Sequence, residues 1–285
     1  MIVTAYCPGH ISGFFKRITG NDRDTTGSIG AGIVIDPGVT VTVTPARHTS
    51  VRIFQRSARG HLRQITDHAP PVSSALGRLG MDAVVDTECS LPIGAGFGLS
   101  AAALLATLTA ANRAGNLGLS PREIARIAHQ TEVEHRTGLG DVSACQAGGR
   151  VVRTGPGIDG KIARFFDLAG PVCAVSFGPI HTPTVLGSPG QMRRVAGAFP
   201  SPGQTAAGDF FSLCRAFSKK SGLETAEVGH VLRACSAEGI PAAMTMLGNG
   251  VFAYGSRAEA VLRPFGRVYL CTMAPAGPRI VRVEP

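Results

Sequence analysis

A cluster of glycines joins a strand-like stretch to a stretch rich in alanine and leucine. Its sequence, over residues 91–103, is LPIGAGFGLSAAA. Glycine lets the backbone turn with several N–H groups directed at one point, and the start of a helix adds positive charge, so such a loop can bind a phosphate. The hydroxyl of Ser100 would then suit the magnesium ion that accompanies a phosphate. The alternative is a tight turn in which the glycines only permit close packing.

Two common phosphate-binding motifs do not match this cluster. A Walker loop requires Gly-Lys-Ser/Thr, but the chain has no lysine between Lys16 and Lys161. The dinucleotide fingerprint has the spacing GxGxxG and an acidic residue about 20 residues later, and neither feature is present here. The cluster therefore predicts a phosphate site of another type.

Acidic residues and a histidine add groups that can handle protons and metal ions. Asp141 follows the turn Gly138-Leu-Gly140, and Glu132 and Glu134 precede it on one predicted helix. The two glutamates point to different helix faces, so both cannot easily face the loop. Asp141 can accept a proton or orient an attacking hydroxyl, or it can be a turn aspartate bound to local backbone. His10 can donate a hydrogen bond to a hydroxyl or phosphate, or it can cap the turn after Pro8-Gly9.

Alternating strands and helices must position these residues. The motif Ser120-Pro-Arg-Glu123 is a capping box that opens a helix. The mixture of elements indicates an α+β fold, divided near residue 168 into domains 1–168 and 169–285. The predicted strands are 1–5, 31–36, 39–44, 51–54, 83–89, 150–154, 161–167, 171–177, 241–247, 250–254 and 267–273. The predicted helices are 99–114, 120–136, 190–198, 207–221, 224–238 and 256–263.

Composition narrows the classes of protein that remain. The chain has 285 residues, of which 44% are hydrophobic, and a formal charge of +9, so it can bury a sizeable core. Its seven widely spaced cysteines have no metal-binding spacing and are interpreted as small buried residues of a reducing cytoplasm. We expect no secretory signal and no membrane span, since Pro92 and nearby glycines break the uncharged stretch. The arginines from Arg47 to Arg63 are interpreted as a solvated strand face; an anionic ligand or nucleic acid is the alternative.

Three motifs resemble those of the GHMP small-molecule kinases. LPIGAGFGLSAAA is similar to their nucleotide-binding motif, from which Leu99 departs where a serine is usual. CPGHISGFF at residues 7–15 resembles their substrate motif, and TMLGNGVF at residues 245–252 resembles their C-terminal glycine-rich motif. The resemblance implies ATP and Mg2+, an N-terminal domain like domain 2 of ribosomal protein S5, and a ferredoxin-like C-terminal domain. The implied nucleotide-binding residues are Pro92, Gly94, Ala95, Gly96, Gly98, Leu99, Ser100 and Ala101.

The strings PGHISGFF, GSIGAGIVID and TGLGDVSACQAGG resemble the archaeal branch of this family, which phosphorylates the C4 hydroxyl of (R)-pantoate for coenzyme A synthesis. The resemblance implies a catalytic role for Asp141 and places Ser100 and a glutamate of the following helix at the metal ion; Glu132 is favoured, and Glu134 stays the alternative. His10 stands where a related kinase has a lysine, and its imidazole makes it a second catalytic candidate. Since pantoate carries a carboxylate, a forked guanidinium suits it better than lysine does. Candidate substrate-binding residues are His10, Ser12, Ser28, Thr182 and Arg215, with Lys16 and Arg17 beside the first motif.

Two other functions are compatible with the sequence. A kinase of the same family acting on mevalonate or homoserine is one, and a non-catalytic phosphate- or RNA-binding protein is another. We expect a cytoplasmic homodimer with small-molecule substrates and no nucleic-acid or membrane partner.

Overall fold

A long antiparallel hairpin at the N-terminus organises the fold. The computed structural model describes residues 1–180, 182–201 and 209–285, with the backbone alone for 182 and 183. Strand β1 (Ile2–Ile18) pairs along its length with β2 (Gly27–Pro45). The sequence predicts only parts of these strands, because Pro8 and Pro37 suggest turns. The register instead shifts between Cys7 and Gly9, so an irregularity in the ladder accommodates the prolines and both strands continue.

The remaining strands extend this hairpin into a mixed sheet. They follow the order β4–β3–β5–β2–β11–β8–β10–β9, while β6 pairs with β2 and with β7. The β3 and β5 strands are parallel, and the other pairs are antiparallel. The strands of the first half are β3 (Ser50–Arg56), β4 (Leu62–Thr66), β5 (Ala83–Cys89), β6 (Arg150–Arg153) and β7 (Ile162–Phe165). Those of the second half are β8 (Val172–Pro179), β9 (Ala242–Met244), β10 (Gly248–Tyr254), β11 (Tyr269–Met273) and β12 (Arg279–Glu284).

Strands from the second half return to the first. Thr272 in β11 lies opposite Asp36 in β2, while the same strand also pairs with β8. Strand β12 pairs with β1, from Arg279 to Glu284. The domain boundary near residue 168 stays a prediction. Strands β11 and β12 follow this residue in the sequence, and both pair with strands that precede it.

Helices cover the sheet, and the α+β class predicted from the sequence is confirmed. They are α1 (Pro70–Arg78), α2 (Leu99–Ala114), α3 (Pro121–His135), α4 (Asp141–Cys145), α5 (Thr182–Gly187), α6 (Pro189–Ala198), α7 (Phe210–Ser221), α8 (Ala226–Ala237) and α9 (Ala258–Leu262). The predicted bounds of α2 are correct, and the capping box of α3 is present: Ser120 Oγ accepts from the Glu123 N–H, and the Glu123 carboxylate accepts from the Ser120 N–H. Residues 207 and 208 of the predicted helix 207–221 lie outside the described residues.

The centre of the core lies where α2 packs against β1 and β2. Leu104, Leu105 and Leu108 of α2 are at most 1% exposed, and Phe14 of β1 is equally buried. All seven cysteines are free and buried, which confirms their interpretation as core residues. None of the helices in the described ranges has the length and apolar character needed to cross a membrane.

Candidate active site

The glycine cluster forms an open loop that leads into α2. Gly94, Gly96 and Gly98 have φ values of +75°, +82° and +61°, in the left-handed region that favours glycine. Gly98 is the N-cap of α2 and has no side chain to occupy the first N–H groups of the helix. These N–H groups, together with the helix dipole, make the loop suitable for an anion.

Hydrogen bonds to the backbone hold this loop from two sides. The N–H of His10 donates to the carbonyl oxygen of Phe97 at 2.9 Å, which ties β1 to the loop. The N–H of Ile180 donates to the carbonyl oxygen of Gly94 at 3.2 Å, just after β8. The loop is therefore positioned by strands from both halves of the chain.

The third glycine motif supports the loop by close packing. A Cβ atom at Gly248 would lie 2.0 Å from the carbonyl oxygen of Ala95, so only glycine fits there without a backbone shift. Nearby, the N–H of Met246 donates to the carbonyl oxygen of Ser12 at 3.1 Å. The three motifs are thus in mutual contact, although they lie far apart in the sequence.

A cavity of about 580 Å3 lies beside this loop. Most of the predicted nucleotide-binding residues line it, and so do several of the other predicted site residues. The lining includes Ser12, Ser28, Gly94, Gly96, Gly98, Leu99, Ser100, Ala101, Glu132 and Asp141. Pro92, Ala95 and His10 are not lining residues, although Ala95 lies within the loop and His10 lies behind it.

Asp141 begins α4 and makes a hydrogen bond with a histidine beneath it. Its Oδ1 lies 2.7 Å from His10 Nδ1, and the Asp141 side chain is 24% exposed while that of His10 is 0% exposed. Burial lowers the pKa of His10, so the ring is neutral near pH 7 and donates its Nδ1–H. Burial alone would raise the pKa of Asp141, but the hydrogen bond from His10 and the charge of Arg153 bring it below its usual range. Asp141 is therefore an ionised acceptor facing the cavity.

The far end of α4 is fixed by Arg164. Its Nη1 donates to the carbonyl oxygens of Ala144, Ala147 and Gly148 at 2.9–3.0 Å. These bonds satisfy carbonyls at a helix end that would otherwise lack partners. The short helix that carries Asp141 is thereby held in place.

Glu132 reaches the cavity from α3 and is 1% exposed. It accepts a hydrogen bond from Thr137 Oγ1 at 3.2 Å and another from Ser100. Burial and the nearby charge of Asp141 raise the pKa of Glu132 to about 8. The buried Glu132 and the partly exposed Asp141 therefore place two carboxylates beside the glycine loop. When both are ionised, the site has an excess of negative charge, and a bound cation would compensate it.

Glu134 faces away from the cavity, as the helix geometry predicts. Its carboxylate pairs with Arg78 and lies 3.4 Å from Arg23 Nη1. Of the two glutamates, Glu132 alone is placed beside Ser100 and Asp141.

Four of the candidate substrate residues do not line the cavity: His10, which lies behind it, and Lys16, Arg17 and Arg215. Arg215 is not a lining residue; its guanidinium donates to Ser236 Oγ, on the neighbouring helix α8. Arg17 donates to the carbonyl oxygen of Leu186 at 3.3 Å instead of lining the cavity, and Lys16 is not a lining residue either. The Thr182 side chain lies outside the described part of the chain, although its backbone begins α5.

Arg153 is a site residue that the sequence analysis missed. It lies on β6, is 3% exposed and lines the cavity beside Asp141 and Ser28. The sequence contains a pattern that could have identified it. Side chains two residues apart on a strand lie on the same face, so Arg153 shares a face with the buried Val151. An arginine on the apolar face of a predicted strand is unusual and marks a candidate functional residue.

Glycines before Asp141 make room for these side chains. A Cβ atom at Gly138 would lie 2.2 Å from Glu132 Oε2. A Cβ atom at Gly140 would lie 2.5 Å from Ser28 Oγ and 2.8 Å from Arg153 Nε. Both glycines are therefore required by close side-chain approach rather than by the turn alone.

The basic stretch from Arg47 to Arg63 is partly neutralised by the neighbouring strand β5. Arg52 Nε and Nη2 donate to the two carboxylate oxygens of Asp86 at 2.6 and 2.7 Å, and Arg56 pairs with Glu88. This agrees with the interpretation of a solvated strand face and removes part of the charge that a nucleic acid would need.

Comparison with known proteins gives the family. The family model "GHMP kinases N terminal domain" matches residues 62–149. The pantoate kinase of Methanospirillum hungatei JF-1 is 48% identical over 279 residues, which are 98% of this chain and 96% of the relative. The pantoate kinase of Thermococcus kodakarensis is 31% identical, covering 91% of this chain and 90% of its own. A solved structure titled "Phosphotransferase related to CoA biosynthesis pathway" has a TM-score of 0.85 at 24% identity, covering 99% of both chains.

The fold is that of the GHMP kinases, and the matched family model covers both the glycine loop and Asp141. Within that class, identity of 48% along nearly the whole chain defines a closer relationship. The chain belongs to the pantoate kinase family of GHMP kinases.

Proposed function

We propose that this chain transfers the γ-phosphoryl group of ATP to the C4 hydroxyl of (R)-pantoate, giving (R)-4-phosphopantoate for coenzyme A synthesis. The observation that carries the proposal is the 48% identity to a pantoate kinase over 98% of the chain. The ionised Asp141, which faces the cavity beside an anion-binding loop, supports the proposal, since a protein that only binds phosphate needs no carboxylate next to it.

The loop and the start of α2 bind the phosphates of ATP. Gly94, Gly96 and Gly98 line the cavity with left-handed backbone conformations, and Ser100 lies in the first turn of the helix. Positioning and neutralisation of charge are most of what phosphoryl transfer requires from a protein.

Asp141 orients the acceptor hydroxyl towards the γ-phosphate. Because its pKa is low, it is ionised and accepts a hydrogen bond from the hydroxyl, which points an oxygen lone pair at phosphorus. As the bond to phosphorus forms, the hydroxyl becomes more acidic and its proton passes to Asp141. His10 does not reach the cavity and acts as a positioning residue by holding Asp141 through Nδ1.

Ser100 and Glu132 fit a magnesium ion. Among the described residues no group of three or more His, Cys, Asp or Glu side chains is arranged to hold a metal. This suits Mg2+, which is usually bound by one or two carboxylates together with substrate phosphates. The buried Glu132 carboxylate, hydrogen-bonded to Ser100, supplies the hard oxygen ligands that Mg2+ prefers. When bound, the ion neutralises charge on the β- and γ-phosphate oxygens.

We also propose a cytoplasmic homodimer. Exposed apolar side chains on β12 support the dimer: Ile280, Val281 and Val283 are 38%, 58% and 43% exposed. Within the described chain β12 pairs with β1 alone, so one edge is open for another strand. Light scattering during size-exclusion chromatography measures the oligomeric state directly.

A panel of acceptors in an ADP-coupled assay tests the function. We expect ADP release that depends on both Mg2+ and pantoate, with little turnover of pantothenate, mevalonate or homoserine. Phosphorus NMR of the product identifies the phosphorylated hydroxyl. Turnover of mevalonate or homoserine without turnover of pantoate would overturn the proposal.

A further inference from the structure

The carboxylate of Asp141 is carried by a very short helix. Helix α4 has five residues, of which Asp141 is the first and Cys145 the last. A helix of this length makes few internal hydrogen bonds and is not stable by itself. The position of Asp141 in the cavity therefore depends on the contacts that hold α4.

Arg164, on β7, binds the last turn of α4 and the turn that follows it. Its Nη1 donates to the carbonyl oxygens of Ala144, Ala147 and Gly148, and its Nη2 donates to that of Ser143 at 3.1 Å. A planar guanidinium suits this set of carbonyls better than an ammonium group does, because its N–H donors have a fixed arrangement. The C-terminal end of a helix dipole also favours a cation.

The partners of Arg164 are backbone groups and not acids. Within residues 1–180, 182–201 and 209–285, no carboxylate forms an ion pair with its guanidinium. Burial lowers the pKa of Arg164, as expected for a desolvated cation. Because this desolvation costs free energy, the bonds to the four carbonyls must offset it. Arg164 therefore holds the backbone of α4 and does not neutralise an acid.

Arg164 and His10 support Asp141 from the same sheet. Arg164 lies opposite Val151 of β6, which pairs with β2, and β2 pairs with the strand β1 that carries His10. His10 holds the carboxylate of Asp141 directly, whereas Arg164 holds the helix to which this carboxylate belongs. A shift of α4 would move Asp141 relative to the phosphate loop even with His10 in place.

We propose that Arg164 is a positioning residue for phosphoryl transfer, which keeps Asp141 in place beside the acceptor hydroxyl by holding the C-terminal end of α4. This inference rests on the proposed function. Arg164 does not line the cavity, so it acts through Asp141 and not by contact with ATP or the acceptor.

A double-mutant cycle with pantoate and ATP tests this role. Arg164→Met keeps most of the apolar stem and removes the donors, and its kcat is expected to fall about 10–100-fold, since a misplacement of about 1 Å can cost about 100-fold. In the Asp141→Ala background the same substitution should change kcat by about 2-fold at most, because the carboxylate that it positions is already absent. KM for ATP should stay at the wild-type value, since β1 and the segment after β8 hold the phosphate loop.

Two further variants separate positioning from a general loss of stability. Arg164→Lys keeps the cation and should recover part of the loss in kcat. Arg150→Met is the matched control: Arg150 lies on the neighbouring strand β6 and pairs with Asp167, so Tm should fall while kcat stays at the wild-type value.

Gly277→Ala provides an independent test that leaves Arg164 intact and decides the matter if Arg164→Met does not fold. A Cβ atom at Gly277 would lie 2.2 Å from the carbonyl oxygen of Gln146, in the turn that Arg164 binds. This variant should also lose kcat, and the loss should again disappear in the Asp141→Ala background. Wild-type kcat in folded Arg164→Met, or equal fold-losses with and without Asp141, would overturn the inference. Wild-type enzyme that releases no ADP with pantoate would instead overturn the proposed function.

Discussion

His10 Nδ1 lies 2.7 Å from Asp141 Oδ1, although the two residues are 131 positions apart in the chain. His10 lies on β1, whose backbone also holds the phosphate loop through Phe97. One strand therefore positions both the loop for ATP and the carboxylate for the acceptor. This explains why His10 belongs to the site without lining the cavity.

His10 should affect turnover more than nucleotide binding. Replacing it with leucine removes a hydrogen bond to a charged group, so kcat is expected to fall about 10–100-fold. His10→Asn keeps an N–H donor and should recover part of this loss. KM for ATP should stay unchanged in both variants, because the backbone N–H that holds Phe97 is retained. Steady-state kinetics with each substrate varied in turn provide the measurement, and equal activity of the leucine and asparagine variants would contradict the positioning role.

Asp141 should be essential for the transfer but not for binding ATP. Asp141→Asn keeps the shape and loses the proton acceptor, so kcat is expected to fall about 100- to 10,000-fold. ATP affinity, measured by isothermal titration calorimetry, should change little. The exposed Asp159, which pairs with Arg122, offers a control in which Asp→Asn should leave kcat unaffected. An undiminished rate in Asp141→Asn would remove this residue from the mechanism.

Gly138→Ala should disturb the metal site. The added Cβ would lie 2.2 Å from Glu132 Oε2, so the carboxylate must move. We expect the Mg2+ concentration for half-maximal activity to rise about 10–100-fold, as when the support of a metal ligand is lost. Gly77→Ala is the control, because a Cβ there meets nothing within 4 Å and lies in helix α1. A normal Mg2+ requirement in Gly138→Ala would show that Glu132 is not a ligand.

Gly248→Ala should weaken ATP binding from outside the loop. Its Cβ would lie 2.0 Å from the carbonyl oxygen of Ala95, and a backbone atom cannot move without shifting the loop. A misplacement of about 1 Å can cost about 100-fold, and we expect this loss in kcat/KM for ATP. The acceptor KM should change much less. If both KM values rise together, the third motif supports more than the loop.

Glu132 should make the metal-free enzyme less stable at alkaline pH. Burial raises its pKa from 4.5 to about 8, so the folded state favours the protonated carboxyl. The protonated Glu132 carboxyl contributes fully to the free energy of unfolding below pH 4.5. This contribution is lost as the pH rises to about 8, at about 1.4 kcal/mol per pH unit. Glu132→Gln cannot ionise, so its Tm should rise relative to that of the wild type between pH 5 and pH 8. Melting curves that stay parallel over this range would contradict the raised pKa.

Much of the fold could be predicted because local signals agree with the tertiary structure. Helix α2 has strong helix formers from Leu99 to Ala114, and Ser120 with Glu123 specifies the start of α3. The missed strand β12 has almost only exposed residues, so it lacks the alternation that reveals a half-buried strand. Strand β1 was predicted too short and β2 was predicted as two strands, because a proline in a bulge has the same local signature as a proline in a turn.

The site was predictable where a motif encodes backbone shape and harder to predict where it depends on pairing between strands. The loop residues and Ser100 belong to one continuous segment, and most of them line the cavity. Arg153 reaches the site because β6 pairs with β2, with Arg153 opposite Gly30, and sequence gives no such register. Arg215 was a candidate by residue type alone, and its helix directs it to Ser236 instead.

The glycines that make room for functional side chains have an evolutionary consequence. At Gly138 the missing Cβ leaves space for Glu132, and at Gly140 it leaves space for Ser28 and Arg153. Each glycine and the side chains that occupy its space form an epistatic unit, because the effect of a substitution at one position depends on the size of the side chain at the others. An alanine at 138 should be tolerated only with a shorter acid at 132, so routes to a new acceptor must change these positions together.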